Sequence, residues 1–401
     1  MKITDVKTLV FGNPPPGIGG KYFIFVKLTT DGNVIGYGEA YNAAFSAHLT
    51  ATMIEDVAAR YLIGHDPHDV ENFFRRAYSS GFTQRPDTSM MGCVSALEMA
   101  CWDIIGKEAG KPVHKLIGGR VHETLRTYTY LYPKSGPVYP KEAVNVYNDP
   151  DLAAKAATAC VEQGFDAVKF DPAGPYTAFD PHQPRLEDID LSTRLVKAVR
   201  QAVGTKADIL FGTHGQFTPS GAARLAKAIE PFDPLWFEEP VPPDNVEAMA
   251  EIARKTSIPI AAGERLTTRF EFARLIEQRA ASILQPNAGR CGGIFEMKKI
   301  AAMAEANHVQ IAPHCYCGPI VAAANIQVSL SLPNFLILEA IKTFDGTHEM
   351  LLKKKIEWQD GHVIPSGEPG LGVELNEDFV EAHPYAGNDL HLNMMQTPLN
   401  S

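Results

Sequence analysis

The chain has 401 residues, 45% apolar and 21% charged, a composition typical of a soluble globular protein with more than one domain. Its net charge of −10 comes without any basic run or stripe, which argues against nucleic acid as a partner. It has no run of about 18 apolar residues and no signal-peptide core, so we predict a cytoplasmic protein that does not enter membranes. The six cysteines are scattered and are expected to be free thiols.

The first 45 residues alternate apolar and polar side chains, which predicts β-strands. Asp31 and Gly32 offer a hairpin turn between two of them. Residues 13–20 (NPPPGIGG) are too rich in Pro and Gly for regular structure. They form either a plain surface loop or a mobile lid over a site.

Helical periodicity begins near His48, and Asp66 or Asp69 is expected to cap a second helix that ends near Tyr78. A third helix is predicted over residues 90–107, before a Gly-then-Pro stop at residues 110–112. Strands followed by helices predict that residues 1–123 form a small α+β domain.

Strand and helix patterns alternate from residue 124 to residue 342. The predicted strands are 126–132, 166–170, 207–211, 235–237, 258–262, 282–285, 309–312 and 335–338. Helices are predicted at about 150–163, 187–203, 219–230, 245–256, 269–280, 293–307 and 319–330. Eight strands with seven intervening helices favour a closed parallel barrel over an open sheet. Residues 343–401 are polar and irregular and are expected to pack back on the first domain.

Three of the predicted strands end at a constant spacing, because Gly212, Glu238 and Glu264 are each 26 residues apart. One strand–helix unit per step accounts for that spacing, and the active site of such a barrel lies at the C-terminal strand ends. The polar residues predicted at these ends are Lys169, Asp171, His214, Glu238, Glu264, Asn287, His314 and Glu339.

These residue types suggest a cation site with acid–base groups beside it. Glu238 and Glu264 supply the oxygen ligands that Mg²⁺ prefers. His214 shares a strand face with position 212, so it could complete the cation site or act as a general acid. His314 ends an apolar strand and is placed to act as a general base near neutral pH. Asn287, on the preceding strand, can orient the imidazole of His314 by a hydrogen bond.

Several longer motifs resemble the enolase superfamily, in its mandelate racemase-like branch. In the first domain they are residues 95–107 (SALEMACWDIIGK) and 110–119 (GKPVHKLIGG). In the barrel they are residues 168–172 (VKFDP), 237–240 (FEEP), 263–265 (GER), 283–287 (ILQPN) and 313–314 (PH), followed by 369–373 (PGLGV). Residues 214–217 (HGQF) and the segment after Lys169 are most similar to gluconate and galactonate dehydratases.

This resemblance implies a modified (β/α)₇β barrel under an N-terminal α+β capping domain, and a Mg²⁺ ion that binds a substrate carboxylate. It implies Glu238 and Glu264 as metal ligands, His314 as the base and His214 as the acid. Asn287 and Glu339 complete the predicted catalytic set, Glu339 as a group that can hydrogen-bond the enediolate. The predicted substrate-binding residues are Lys169, Asp171, Gln216 and Arg265.

The chain departs from the family pattern at three positions. Gly212 stands where the first metal ligand, usually Asp, is expected, and Asn287 replaces the Asp that orients the base. Asp171 replaces the second Lys of a Lys-x-Lys motif. Loss of that second base favours one-sided chemistry such as elimination over racemisation.

We therefore predict a Mg²⁺-dependent dehydratase that converts an aldonate-type sugar acid to a 2-keto-3-deoxy acid. The alternatives are a cycloisomerase or epimerase that uses the same enediolate, and a degenerate member that binds a sugar acid without chemistry. Specificity is expected from residues 13–20, from residues 41–46 and from a Pro- and aromatic-rich insert at 173–186. The resemblance also suggests a homo-oligomer.

Overall fold

The computed structural model describes residues 1–132, 145–171 and 181–392. Within those ranges no helix is both long and apolar enough to cross a membrane. The predicted insert at 173–186 falls mostly outside them, and only its last residues belong to the described part.

The N-terminal part is a three-stranded antiparallel sheet covered by helices, which confirms the predicted α+β domain. Its strands, in the order β1-β2-β3, are β1 (Ile3–Gly12), β2 (Tyr22–Thr30) and β3 (Ile35–Ala40). Its helices are α1 (Ala47–Tyr61), α2 (Val70–Tyr78), α3 (Thr88–Glu108) and the short α4 (Val113–Leu116). Helix α3 lies directly on β3, because a Cβ at Gly36 or Gly38 would overlap the helix backbone at Ala100 or Ala96.

Eight parallel strands of the described residues close into the predicted barrel. They are β4 (Leu125–Tyr130), β5 (Ala167–Phe170), β6 (Asp208–Phe211), β7 (Trp236–Glu238), β8 (Ile260–Ala262), β9 (Ile283–Leu284), β10 (Gln310–Ile311) and β11 (Leu338–Glu339). Each strand pairs with the next as far as β10, a bridge from Ile311 to Phe335 leads to β11, and β11 pairs with β4.

Among the described residues, seven helices cover the outside of the barrel. They are α5 (Pro150–Gln163), α6 (Leu186–Val203), α7 (Pro219–Ile229), α8 (Val246–Ala253), α9 (Thr268–Glu277), α10 (Ile294–Ala306) and α11 (Pro319–Ser329). The paired strands are mostly shorter than predicted, because the apolar pattern extends past the last ladder hydrogen bond at the barrel ends. The last strand was misplaced by three residues: Phe335 makes only an isolated bridge, and pairing with β4 begins at Leu338.

Side chains of different size fill the barrel interior. Tyr128 and Trp236 meet edge to face with ring centroids 5.3 Å apart, and both are fully buried. Small residues belong to the same buried cluster, including Ala261 of β8 and Ala312 directly after β10. Large and small side chains pack together in one buried cluster, so the barrel interior is a packed core below the strand ends.

The C-terminal part packs against both the first domain and the barrel, whereas only the first domain was expected. It contains α12 (Thr347–Met350), β12 (Glu357–Gln359), β13 (His362–Ile364) and α13 (Glu377–Ala382). As predicted, α13 contacts the first sheet, where the Glu377 carboxylate accepts hydrogen bonds from Lys27 Nζ (2.8 Å) and the Tyr37 hydroxyl (2.5 Å). The β12–β13 hairpin instead pairs antiparallel with barrel strand β4, an arrangement the irregular sequence did not indicate. The boundaries at residues 123 and 342 stay predictions.

Two carboxylates of the first sheet and helix layer bind the starts of barrel helices. Glu39, at the end of β3, accepts the backbone N–H groups of Ile320 (3.1 Å) and Val321 (3.0 Å) at the start of α11. Glu98 accepts those of Ile294 and Phe295 at the start of α10. The unpaired N–H groups and positive end of a helix favour a carboxylate there. These contacts hold the first domain over the C-terminal rim of the barrel.

Candidate active site

The polar residues predicted at the strand ends do gather on one rim of the barrel. Those that are buried are Lys169, Asp171, Glu238, Glu264, Asn287, His314 and Glu339. His214 is also there, with 17% of its side chain exposed. Buried charged groups need partners, so the pairs they form determine what the site can do.

Glu238 is the most fully bonded carboxylate of the rim. Its Oε1 atom forms an ion pair with Lys169 Nζ. Its Oε2 atom accepts hydrogen bonds from Trp236 Nε1 (2.9 Å) and Gln285 Nε2 (2.7 Å). Three donors on one buried carboxylate hold its orientation firmly. Neither Trp236 nor Gln285 was singled out from the sequence, because each lies inside a strand and resembles core packing.

Lys169 brings a buried positive charge to the rim. Burial alone would lower the pKa of Lys169, but the carboxylates of Glu238, Glu339 and Glu264 raise it above its ordinary value. The ammonium also lies over the rings of Tyr130 (4.7 Å) and Tyr128 (5.7 Å). Lys169 therefore stays protonated and acts as a fixed cation beside Glu238.

The space that a side chain at position 212 would occupy is already filled. An ideal Cβ on Gly212 would overlap Asp171 Oδ1 and would lie 3.3 Å from Lys169 Cε. The same Asp171 carboxylate has Oδ2 3.5 Å from His214 Nδ1. The glycine and the aspartate are therefore packed against each other, and the aspartate faces the histidine on the neighbouring strand.

His314 lies among two carboxylates, an amide and an aromatic ring. Its Nε2 atom is 3.6 Å from Glu264 Oε2 and 3.9 Å from Glu339 Oε2, and its ring stacks on Tyr41 with centroids 5.4 Å apart. Burial lowers the pKa of His314, and the nearby Glu264 and Glu339 carboxylates only partly oppose that effect. The imidazole is therefore kept neutral and buried at the rim.

Asn287 contacts the other side of the same imidazole, as the sequence suggested it could. Its Nδ2 atom is 2.9 Å from His314 Nδ1. Its Oδ1 atom accepts the backbone N–H of Gly289 at 2.7 Å. The side chain thus joins the loop after β9 to the histidine after β10.

In the described part of the chain, two buried carboxylate oxygens at the rim have no protein hydrogen-bond donor. Within the described residues, Glu264 Oε2 and Glu339 Oε1 are buried and unpartnered in this sense, as are the hydroxyls of Tyr128 and Tyr132. Burial alone would raise the pKa of Glu264, but His314, His214 and Lys169 hold it below its ordinary value. An ionised oxygen without a donor suits a cation or a polar ligand.

The carboxylates at the rim could bind Mg²⁺ only in a site with few protein ligands. In the part of the chain that the structure describes, no group of three or more His, Cys, Asp or Glu side chains is arranged to hold a metal. This agrees with the missing ligand at Gly212. Mg²⁺ is nevertheless often bound by only one or two carboxylates, with water and substrate oxygens completing its shell. Glu238 and Glu264 fit that kind of site.

The remaining predicted substrate-binding residues lie at the edge of the rim. Arg265 forms an ion pair with Glu239, with Nε 2.8 Å and Nη2 2.7 Å from Glu239 Oε2. Gln216 is buried, and its carbonyl accepts the backbone N–H of His182. Gln216 therefore adjoins the end of the 173–186 insert.

Three residues near His314 were missed as individual site residues. Arg290 lies 4.0 Å from the centre of the Tyr41 ring and donates from Nη1 to the carbonyl of Glu264 at 3.0 Å. His391, close to the C-terminus, packs edge-on against Tyr41 with centroids 5.2 Å apart. Tyr41 belongs to the loop predicted to carry specificity. For His391 the sequence offered no signal, because only the fold brings the C-terminal segment to the barrel rim.

Comparison with known proteins agrees with this architecture. Residues 17–118 match the mandelate racemase / muconate lactonizing enzyme N-terminal domain, and residues 151–379 match the enolase C-terminal domain-like family. A solved structure from Labrenzia alexandrii DFL-11, provisionally described as a mandelate racemase/muconate lactonizing enzyme, is 60% identical with a TM-score of 0.96, covering 99% of each chain.

Curated relatives of similar length are dehydratases of sugar acids. A D-xylonate dehydratase of Haloferax volcanii is 33% identical over 97% of this chain and 90% of its own length. A D-galactonate dehydratase of Pectobacterium atrosepticum is 32% identical over 95% of this chain and 94% of its own length.

Proposed function

The chain belongs to the mandelate racemase/muconate lactonizing enzyme family of the enolase superfamily, and from that premise we propose that it is a Mg²⁺-dependent sugar-acid dehydratase. It removes the proton next to the carboxylate of an aldonate-type acid and eliminates the β-hydroxyl, giving a 2-keto-3-deoxy acid. Relatives named for D-xylonate and D-galactonate dehydration support the substrate class.

The main support for this proposal is the surroundings of Glu264. Glu264 is a buried carboxylate with an oxygen that lacks a hydrogen-bond donor, this oxygen lies 3.6 Å from His314 Nε2, and His214 stands on the same rim. Two imidazoles beside an available carboxylate oxygen are the groups that proton removal and hydroxyl departure require.

Glu238 and Glu264 would hold the metal ion. When bound, Mg²⁺ would bind the substrate carboxylate and make the adjacent proton more acidic. Burial raises the pKa of Glu238, and the ion pair with Lys169 opposes that rise and fixes the orientation of the carboxylate. Arg290 and Arg265 add positive charge around the rim, which favours an anionic substrate.

The side chains of the rim also limit the chemistry. Asp171 stands where a second lysine base is expected in a racemase, so base catalysis from both faces of the substrate is not supported. The first domain covers the rim through Tyr41, which shields the region of His314 from water. One-sided proton removal followed by loss of hydroxide is consistent with both features.

The test is an assay of purified full-length protein on a panel of sugar acids that includes D-xylonate and D-galactonate, with Mg²⁺ or with EDTA. We expect Mg²⁺-dependent release of a 2-keto acid from at least one substrate. The Glu264→Gln variant should lose turnover, while the surface control Glu277→Gln should keep it.

Two results would overturn the proposal. A product without a keto group but with solvent deuterium at the α-carbon would indicate an isomerase. Binding of a sugar acid without turnover, with or without Mg²⁺, would indicate a degenerate binding protein.

A further inference from the structure

We infer that Asn287 locks His314 as a neutral imidazole protonated on Nε2, so that His314 donates a hydrogen bond to the reacting substrate and His214 removes the α-proton. This inference rests on the proposed function for its substrate, but the tautomer itself is a property of the protein alone. It reverses the roles that the sequence resemblance implies for the two histidines.

The orientation of the Asn287 amide is determined by its surroundings. Its oxygen must face Gly289, because Gly289 offers a backbone N–H at 2.7 Å. Its NH₂ group must then face His314 Nδ1 at 2.9 Å. The flipped amide would point its NH₂ at the N–H of Gly289 and its oxygen at the carbonyl oxygen of His314, so it would lose the Gly289 hydrogen bond and set two oxygens against each other.

Other neighbours of the amide agree with this orientation. Asn287 Nδ2 is 3.2 Å from the carbonyl oxygen of His314 and 3.4 Å from Cys317 Sγ, and both are acceptors. The NH₂ group therefore faces acceptors only.

The amide determines which ring nitrogen carries the proton. Because Asn287 donates to Nδ1, Nδ1 must present its lone pair, and the single proton of the neutral ring is on Nε2. An imidazolium would direct an Nδ1–H at the NH₂ group, which no acceptor there could satisfy. An aspartate at position 287 would do the opposite, since it would accept from Nδ1–H and leave Nε2 free as a base.

The Nε2–H group faces the reaction side of the site. It lies near Glu264 Oε2 and Glu339 Oε2, at 3.6 and 3.9 Å. Glu339 Oε2 already accepts the backbone N–H of Cys315 at 2.6 Å. A hydrogen-bond donor on a buried rim stabilises negative charge that develops on a substrate oxygen.

The proton acceptor is then the other imidazole. His214 Nδ1 lies 3.5 Å from Asp171 Oδ2, an ion-pair distance, so the negative carboxylate favours the proton on Nδ1 and leaves Nε2 as the base. The α-carbon–hydrogen bond breaks, its proton goes to His214 Nε2, and its electron pair enters the enediolate. The enediolate electron pair then forms the double bond between the α- and β-carbons as the β-carbon–oxygen bond breaks, and the leaving hydroxide takes the proton from His214 and departs as water. The resulting enol gains a proton at the β-carbon and loses its hydroxyl proton to give the 2-keto-3-deoxy acid.

The first test determines the tautomer of His314 by NMR. Long-range ¹H–¹⁵N NMR is recorded on full-length protein labelled with ¹⁵N-histidine. The wild type is compared with Asn287→Asp and Asn325→Asp. The signals of His314 are assigned as those that are missing in His314→Gln. We expect Nε2 protonation in the wild type and a switch to Nδ1 protonation in Asn287→Asp.

Asn325→Asp is the matched control. Asn325 also donates to His314, but to its backbone carbonyl at 2.9 Å, so this change should leave the ring tautomer as in the wild type. A wild-type His314 protonated on Nδ1 would overturn the inference even if no variant folds.

The second test separates the two histidines with a sugar acid that is turned over, by following exchange of its α-proton in D₂O. We expect His214→Asn to lower the exchange rate by about 10²–10⁴-fold. His314→Gln should lower kcat and the exchange rate by about 10²–10³-fold, the cost of one lost donor, with exchange still measurable because the base is intact. Exchange that survives in His214→Asn and disappears in His314→Gln would overturn the assignment. If no sugar acid is turned over, the proposed function fails, while the NMR result still decides the tautomer.

Discussion

Gly212 and Asp171 form one packed unit at the rim of the barrel, since an ideal Cβ at position 212 would overlap the Asp171 carboxylate. In the family pattern these are two separate departures, a lost metal ligand and a lost lysine. In the fold they depend on each other, because the aspartate occupies space that the glycine leaves open. The same aspartate faces His214. The position of the missing metal ligand therefore adjoins a candidate catalytic histidine.

Gly212→Ala should therefore displace the Asp171 carboxylate and with it His214. A misplacement of about 1 Å in a catalytic group costs on the order of 10²-fold in rate. We expect a loss of that size in kcat/KM for the substrate found in the panel assay. Gly367→Ala is the matched control, because a Cβ there meets nothing within 4 Å and activity should be unchanged. Equal activity in the two variants would show that the packing does not matter.

Glu238→Gln should leave Lys169 as a buried ammonium without its closest counter-charge. Removing one partner of a buried pair typically destabilises a protein by about 3–5 kcal/mol. Urea unfolding should show a loss in that range. The control, Glu251→Gln, breaks the surface pair with Lys255, in which both side chains are about half exposed, and should cost under about 1 kcal/mol. Similar losses in both variants would contradict the prediction.

His348 should make the fold sensitive to acid. It is buried and donates from Nε2 to the carbonyl of Cys317 at 2.9 Å, and burial lowers its pKa from 6.5 to about 4. Below pH 6.5 the unfolded chain takes up a proton, whereas the folded chain does not until about pH 4. The free energy of unfolding therefore falls as the pH drops through this window, by at most about 3 kcal/mol.

Urea unfolding at several pH values measures this contribution. His348→Gln should show a shallower loss of stability between pH 6.5 and 4 than the wild type. His48→Gln, at an exposed position on α1, should keep the wild-type slope. An unchanged slope in His348→Gln would rule out His348 as the source.

Mg²⁺ should stabilise the folded protein if Glu238 and Glu264 hold it. At 100 times its dissociation constant, a ligand that binds only the folded state adds about 2.7 kcal/mol to the free energy of unfolding. Thermal unfolding with Mg²⁺ and with EDTA should therefore differ for the wild type and for the surface variant Glu277→Gln. In Glu264→Gln the difference should shrink or vanish, and an undiminished Mg²⁺ effect there would place the ion elsewhere.

Much of the fold and most of the site could be predicted from the sequence. The spacing of Gly212, Glu238 and Glu264 identified the barrel, because each strand–helix unit takes a similar length of chain. The active site of such a barrel lies at the C-terminal ends of the strands. The polar residue that follows each apolar run therefore predicted which residues lie at the rim. Strand limits were less accurate, because hydrophobicity continues where ladder hydrogen bonds have already ended.

The contacts between elements could not be predicted. Tyr41 and His391 reach the neighbourhood of His314 from the first domain and the C-terminal segment, and no local pattern records a contact over such distances in sequence. The β12–β13 hairpin likewise pairs with β4, although its own sequence looked irregular.

The sequence by itself determined which residues stand at the rim, including glycine at 212 and asparagine at 287, because period and spacing are local properties of the chain. Only the tertiary structure decided what those two residues do. Asp171 fills the space beside Gly212, and Gly289 orients the Asn287 amide toward His314. The reason is physical: steric exclusion and hydrogen-bond direction act over a few ångströms in space, between atoms whose separation along the chain does not reveal that they meet.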